Sequence, residues 1–141
     1  MGLPAVAALF EDEGAEGART ELEWVESVKS GLPASAVDTV IEKLGFSPAE
    51  IEELVLPRRT LAHRRAKKQA LTLDESVRLA RVARVALEAN DTFGDGANAH
   101  KWLRRPNRAL NGAIPIALLD TDDGARLVET ILGRLAHGLF S

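Results

Sequence analysis

The stretch Ser47-Pro48-Ala49-Glu50-Ile51-Glu52-Glu53-Leu54-Val55-Leu56-Pro57-Arg58-Arg59-Thr60-Leu61-Ala62-His63-Arg64-Arg65-Ala66-Lys67-Lys68 decides how this chain folds. Ser47 offers a hydroxyl N-cap, Pro48 a first helical residue with no amide proton to leave unpaired, and Glu50 the carboxylate that completes a capping box. The helix they open carries Ile51, Leu54 and Val55 on its apolar side, and Pro57 breaks it. A short basic helix follows from about Arg58 to Lys68, with no acid among residues 57 to 73. Two short helices joined by a tight turn, the second bearing Arg58, Arg59, His63, Arg64, Arg65, Lys67 and Lys68, form the arrangement with which a helix-turn-helix engages phosphates and reaches base edges. Its cations would supply salt-dependent affinity, and residues at the start of the second helix would supply discrimination. The turn carries Val55 and Leu56 where glycine is common, so a basic solvated helix, or one that pairs with an acidic partner, stays open as the alternative.

Working outward, Val37, Val40, Ile41 and Leu44 make an amphipathic stripe closed by Gly45, and a helix around Trp24, Val25 and Val28 ends near Gly31. Residues 1 to 20 mix Gly, Ala and acids and read as a flexible acidic tail, leaving residues 21–71 as the helix-turn-helix module. Downstream, Thr72 and Glu75 repeat the capping-box signal. They open the longest helix, running to about Ala89 with Leu73, Val77, Ala80, Val85 and Ala86 as its buried side. Arg78, Arg81 and Arg84 are expected to pair along this helix with Glu75 and Glu88. Asn90, Asp91, Gly94, Asp95 and Gly96 read as a loop, Ala97 to Arg104 as a short helix, and Pro106 to Gly112 as a second loop. Pro115 opens another short helix, and Thr121 caps a terminal helix that buries Val128, Ile131, Leu132 and Leu135. No alternating run predicts a strand, so the expected fold is all-α, with residues 72–141 as a second module.

Composition narrows the function classes. The 141 residues contain no cysteine, which removes disulfide and thiolate chemistry. The N-terminus has no basic residue before its apolar stretch Leu3 to Phe10, and the uncharged run Ala109 to Leu119 is too short to span a bilayer, so a soluble cytoplasmic protein is expected. The net charge of −3 hides a division: residues 1 to 57 carry 12 acids and 3 bases, whereas residues 58 to 141 carry 15 bases and 9 acids. Such asymmetry suggests an acidic arm and a basic face with different partners, or two solvated surfaces. His63, His100 and His137 lack any zinc spacing, and Gly94-x-Gly96 lacks the third glycine of a dinucleotide loop. The cluster Asp120, Asp122, Asp123 and Gly124 misplaces the glycine of a calcium loop and reads as a helix start. No catalytic residue, metal site or cofactor is expected, and no enzymatic activity.

The C-terminal forty residues hold a second constellation. Trp102, Pro106, Asn107, Leu110, Pro115 and Leu118 lie on short helices and fixed turns, the setting in which Trp and Arg serve as protein-recognition anchors, although Trp102 could equally be core. Leu139 and Phe140 either tuck into the core or face a partner. The order Leu71-Thr72-Leu73-Asp74-Glu75-Ser76, Arg78-Leu79-Ala80-Arg81, Phe93-Gly94-Asp95, Ala99, Trp102-Leu103, Pro106-Asn107, Ala109-Leu110, Gly112, Pro115, Leu118-Leu119, Thr121, Gly124, Val128, Leu132, Arg134 and His137-Gly138 resembles the Xre/MbcA/ParS family of bacterial antitoxins. Arg59-Thr60-Leu61-Ala62 with Arg64-Arg65 is similar to the family's second DNA-binding helix, with His63 where arginine is usual. The resemblance runs over residues 35 to 141.

That resemblance implies an Xre-like helix-turn-helix followed by a small helical toxin-binding domain. It implies a homodimer that binds operator DNA, represses its own operon, and neutralises a RES-domain toxin that consumes NAD or ADP-ribosylates a target, by covering the toxin's active site. It adds Thr60 to the DNA-binding set, and makes Trp102, Arg104, Arg105, Asn107, Arg134, His137, Leu139 and Phe140 the expected toxin contacts. The other class left open is a DNA-binding transcriptional regulator whose C-terminal domain only dimerises.

Overall fold

The computed structural model describes residues 5–10 and 20–138. The expected contacts Leu139 and Phe140, and most of the expected tail, lie outside the described residues. The helices are α1 (Ala5–Leu9), α2 (Glu21–Ser30), α3 (Ser35–Leu44), α4 (Pro48–Leu54), α5 (Arg58–Lys67), α6 (Leu73–Phe93), α7 (Gly96–Leu103) and α8 (Asp122–Ala136), with 3₁₀ turns at Arg108–Leu110 and Pro115–Asp120. Among the described residues the only extended pairing is an isolated bridge between Pro33 and Ala70, so the fold is all-α. The chain divides into two compact units, Met1–Ala80 and Arg81–Ser141. The division falls inside α6, beyond residue 71, because the first turns of that helix are bonded to the first unit.

In the first unit the capping chemistry works as its residues dictate. The Glu50 amide donates to Ser47 Oγ at 3.1 Å and the Ser47 amide to Glu50 Oε1 at 2.9 Å, so two N-terminal donors of α4 are satisfied reciprocally. Gly45 ends α3 at φ 74, and Gly31 ends α2 at φ 99. A Cβ on Gly31 would stand 2.4 Å from the Leu71 carbonyl oxygen, so glycine is required there by close approach as well as by conformation. The neighbouring Leu32 carbonyl accepts the Leu71 amide at 2.8 Å, and the Leu32 amide donates to the buried Ser76 hydroxyl at 2.9 Å. Around this crossing the unit buries Val28, Leu32, Val37, Val40, Phe46, Ile51, Leu54 and Leu61.

Part of the segment expected to be tail is folded. Val6 and Ala7 of α1 are buried, and the fully buried Phe10 ring stacks on Trp24 with centroids 6.0 Å apart. Burying a phenylalanine side chain contributes on the order of 2 kcal/mol, which explains why the apolar residues before Glu11 dock. The α6 stripe is also corrected: Leu73 and Val77 are 48% and 40% exposed, while Ser76, Leu79, Val82, Ala83, Val85, Ala86 and Ala89 are buried. The bond from Leu32 to Ser76 fixes the helix's rotation and turns Leu73 and Val77 outward. The helix further runs through Asn90 and Asp91 to Phe93, whose ring meets Trp102 at 5.7 Å.

The second unit is organised by short-range turns. Asp95 caps α7, accepting the Ala97 amide at 2.8 Å, and Thr121 caps α8, accepting the Gly124 amide at 3.0 Å. Pro115, Ile116, Leu119, Ala125, Val128, Ile131 and Leu132 form the buried layer of the last 3₁₀ turn and α8. Leu135, expected on that face, is only half-buried. A Cβ on Gly124 would lie 2.0 Å from the Leu118 carbonyl oxygen, so the absence of a side chain lets α8 start directly against the preceding turn. Gly133, further along α8, has nothing within 4 Å of a built Cβ. The two glycines therefore respond oppositely to alanine. Gly124→Ala lowers stability by about 2 kcal/mol or more, as overpacking does, and Gly133→Ala raises it by roughly 0.5–1 kcal/mol through helix propensity. Chemical denaturation of the two variants checks both signs.

Candidate functional site

The rotation of α5 sorts its cations. Leu61 faces the core, and Arg64 lies beside it with 21% of its side chain exposed. Arg64 Nε and Nη2 each reach a Glu75 carboxylate oxygen at 3.2 Å, and Nη1 reaches Gln69 at 3.4 Å. Arg64 therefore departs from the expected role of a phosphate contact, because its fork is already filled. Arg65 pairs with Asp38, and Arg58 sits 3.9 Å from Glu52, both pairs exposed. Arg59, His63, Lys67 and Lys68 are exposed and, among the described residues, have no ion pair; Thr60 is half-buried. Arg59, His63 and Lys67 recur at i, i+4 and i+8 and share one outward face. A cavity of about 670 Å³ opens beside Ser35, Asp38, Arg65, Lys68 and Gln69, at the far end of the helix from Arg59.

The turn between α4 and α5 needs no glycine. Val55 ends α4 at φ −120, with its amide donating to the Ile51 carbonyl at 2.8 Å, and both Val55 and Leu56 are buried. Apolar side chains plug the turn into the core, and Arg78 Nη1 donates to the Val55 carbonyl at 3.0 Å. The glycine missing from the sequence thus marks a buried turn without a left-handed residue.

Glu75 carries two duties in this unit. Its Oε1 accepts the Thr72 amide at 2.9 Å while its own amide donates to Thr72 Oγ1 at 3.2 Å, closing the capping box of α6. Burial acts to raise the Glu75 pKa, but the Arg64 guanidinium and the Thr72 donors outweigh it and hold the carboxyl below its ordinary value.

In the second unit the expected pairing along α6 is replaced by pairing across helices. Arg84 forks onto Glu129 of α8 with both bonds at 3.1 Å, Arg81 Nη1 lies 3.5 Å from the Leu119 carbonyl, and neither Arg78 nor Arg81 pairs with the expected acids. A planar guanidinium meets both carboxylate oxygens from a facing helix, a geometry that a neighbour on the same helix cannot match. Glu88, one turn after Arg84, faces the same carboxylate. Burial and the adjacent Glu129 push Glu88 up to about 8, with Arg84 opposing. Burial also acts to raise Glu129, yet its bonds to Arg84 and Glu88 hold it low. This shared-proton pair is not legible from the sequence, because its members stand on different helices.

The surface of α7 and the loop after it carries the expected recognition residues. Trp102 is half-buried against Phe93, so its ring is partly core and partly available. Arg104 folds back, its Nη1 donating to the His100 carbonyl at 3.1 Å. Asn107 is turned to its own loop: Oδ1 accepts the Ala109 amide at 2.9 Å, its amide donates to Ala113 at 3.0 Å, and its carbonyl accepts Gly112 at 2.8 Å. Arg105 is exposed, as are Arg134 and the helix-ending His137. Lys101 and Arg108, which the sequence reading did not single out, are exposed on the same segment.

Comparison with known proteins aligns with both units. Residues 23–84 match the family model of the antitoxin Xre-like helix-turn-helix domain, and residues 88–138 match that of the antitoxin Xre/MbcA/ParS C-terminal toxin-binding domain. The antitoxin Xre of Yersinia enterocolitica is 35% identical over 136 residues, an alignment covering 95% of this chain and 91% of that protein. The Prs ADP-ribosylating antitoxin of a Sphingobium species is 30% identical over 124 residues, covering 81% of this chain and 78% of that protein. A chain of the crystal structure of the M. tuberculosis MbcT-MbcA toxin-antitoxin complex superposes with a TM-score of 0.61 at 28% identity, covering 77% of this chain and 96% of that one.

The electrostatics predict a pH signature. Glu88 takes up a proton on folding, so its stabilising contribution is complete below the ordinary carboxylate pKa and is lost as pH rises towards about 8. The expected outcome is a melting temperature that falls over that window and a Glu88→Gln variant in which the fall is flattened; an unchanged slope in the variant would remove Glu88 as its origin. Glu75 has the opposite sign, since its contribution is lost only as pH drops through its lowered pKa.

Proposed function

This chain belongs to the Xre/MbcA/ParS family of antitoxins, and from that premise we propose that it neutralises a RES-domain toxin and represses its own operon. The observation that carries this reading is the succession of the two family matches, helix-turn-helix at 23–84 and toxin-binding domain at 88–138, in one chain. The toxin consumes NAD or ADP-ribosylates a target; the name of the Sphingobium relative and the toxin-antitoxin complex that holds the superposed chain support this direction. Neutralisation is by occlusion, with Trp102, Arg105, Arg134, His137, Leu139 and Phe140 against the toxin's cleft. Arginine suits a cleft that normally holds pyrophosphate where carboxylates or carbonyls line it. The chain acts in the cytoplasm and carries out no reaction of its own, consistent with relatives named as antitoxins.

Operator binding is assigned to α5. Arg59, His63 and Lys67 meet phosphates from the outward face, Arg58 and Thr60 stand near its start, and Arg65 and Lys68 add charge at its end. Arg64 positions the helix through Glu75 instead of touching DNA. Two copies bound to a palindromic operator complete the arrangement.

Separation of the two surfaces tests the reading. Arg59→Ala with Lys67→Ala should weaken operator binding and lower the slope of log affinity against log salt by about 2, roughly one per lost phosphate contact, while toxin neutralisation persists. Phe140→Asp should do the reverse, abolishing rescue from the toxin in cells while gel-shift affinity for the operator is retained. Full rescue by Phe140→Asp would instead favour the regulator whose C-terminal domain only dimerises.

A further inference from the structure

We propose that the segment from Lys101 to Arg108 is a preorganised cationic loop that docks on an acidic patch of the partner protein, with Lys101, Arg105 and Arg108 meeting its carboxylates. The inference rests on the antitoxin reading and adds the partner's chemistry and two residues, Lys101 and Arg108, to it.

Charge is the first ground. Between Gly96 and Leu119 there is no Asp or Glu, whereas Lys101, Arg104, Arg105 and Arg108 fall within eight consecutive residues. Elsewhere in the protein Arg58, Arg64, Arg65, Arg84 and Arg126 each have a carboxylate partner. Lys101, Arg105 and Arg108 are exposed and, among the described residues, make no ion pair or side-chain hydrogen bond. Their charge is uncompensated within the chain and available to an anionic surface.

Rigidity is the second ground. Asn107 ties the loop at four points, through bonds to Ala109, Leu110, Gly112 and Ala113 of 2.8–3.0 Å. Asn111 closes the 3₁₀ turn in the left-handed region at φ 59, and Arg104 is bonded back onto α7. Asn107 and Arg104 are thus positioning residues that hold the backbone, and the side chains that reach outward are the other three. A loop ordered before contact loses little entropy on docking.

The neighbours choose protein over nucleic acid. Pro106 is exposed, Trp102 is half-buried and Ile114 is 37% exposed, so the cations surround apolar groups. Arginine with aromatic and apolar groups is the composition of a protein-protein contact. Single-stranded nucleic acid would need open ring faces for stacking, and the Trp102 ring is instead packed on Phe93.

Long-range attraction between opposite patches acts mainly on the association rate and is screened by salt. The test uses the full chain and the toxin encoded beside it, with association followed by biolayer interferometry in low and high sodium chloride. Lys101→Glu, Arg105→Glu and Arg108→Glu together should cut the association rate roughly tenfold or more at low salt and remove its salt dependence. Circular dichroism melting and operator binding should be unchanged. A triple variant that associates like the parent at every salt concentration overturns the loop assignment and leaves the antitoxin reading intact. A variant that binds toxin normally and loses DNA makes the loop a nucleic-acid surface and also overturns it. If the parent chain binds no toxin at all, the antitoxin reading fails and the inference falls with it.

Discussion

One carboxylate, that of Glu75, holds the first unit in its working form. It closes the N-terminus of α6 through the Thr72 amide and at the same time receives the Arg64 guanidinium from α5, eleven residues earlier. Charge-assisted bonds to a sheltered carboxylate contribute about 1.5–3 kcal/mol each at most, and partial exposure of Arg64 reduces this. The larger consequence is geometric. With Arg64 drawn inward, α5 has one permitted rotation, and that rotation is what leaves Arg59, His63 and Lys67 on the outer face. Arg78, reaching from α6 to the Val55 carbonyl, fixes the turn before α5 in the same way. A basic helix that would otherwise be soluble on every side is given an inside and an outside.

The second unit reaches rigidity by different means. It has short helices, and its order comes from caps and turns: Asp95, Asn107 and Thr121 each accept a backbone amide that would otherwise be unsatisfied. Gly124 lets α8 begin against Leu118, and the Arg84 fork ties α6 to α8 through Glu129. Such a unit presents fixed loops, a form suited to a preformed partner. The division of labour is then a helix face with arginine, histidine and lysine for an anionic polymer, and a clamped loop for a protein.

What the sequence disclosed follows from the range of each interaction. Capping boxes at Ser47 and Thr72, the glycine stop at Gly45, and the caps at Thr121 and Pro115 are local, and residues three apart determine them. The all-α fold and the helix-turn-helix followed from these. The α6 register did not, because Leu73 and Val77 fit the periodicity equally well and only the bond from Leu32 to Ser76, across 44 residues, selects between faces. Nor could charge type show that Arg64 is spent internally while Arg59 is not. The Glu88 and Glu129 pair lay hidden for the same reason, since Arg84 and Glu129 are 45 residues apart. Phe10 was obscured by composition: an apolar residue beside a run of acids looks like tail until Trp24 is seen beneath it.

The central claim is that this antitoxin forms a stable complex that shields the NAD cleft of a RES-domain toxin. Native mass spectrometry of the chain co-expressed with the protein encoded beside it, with cellular NAD followed in the same cultures, addresses it most directly. The account predicts a mass containing both chains and NAD held at the level of cells lacking the toxin, with NAD collapsing when the antitoxin is withheld. A lone homodimer beside a neighbour that leaves NAD untouched would contradict it.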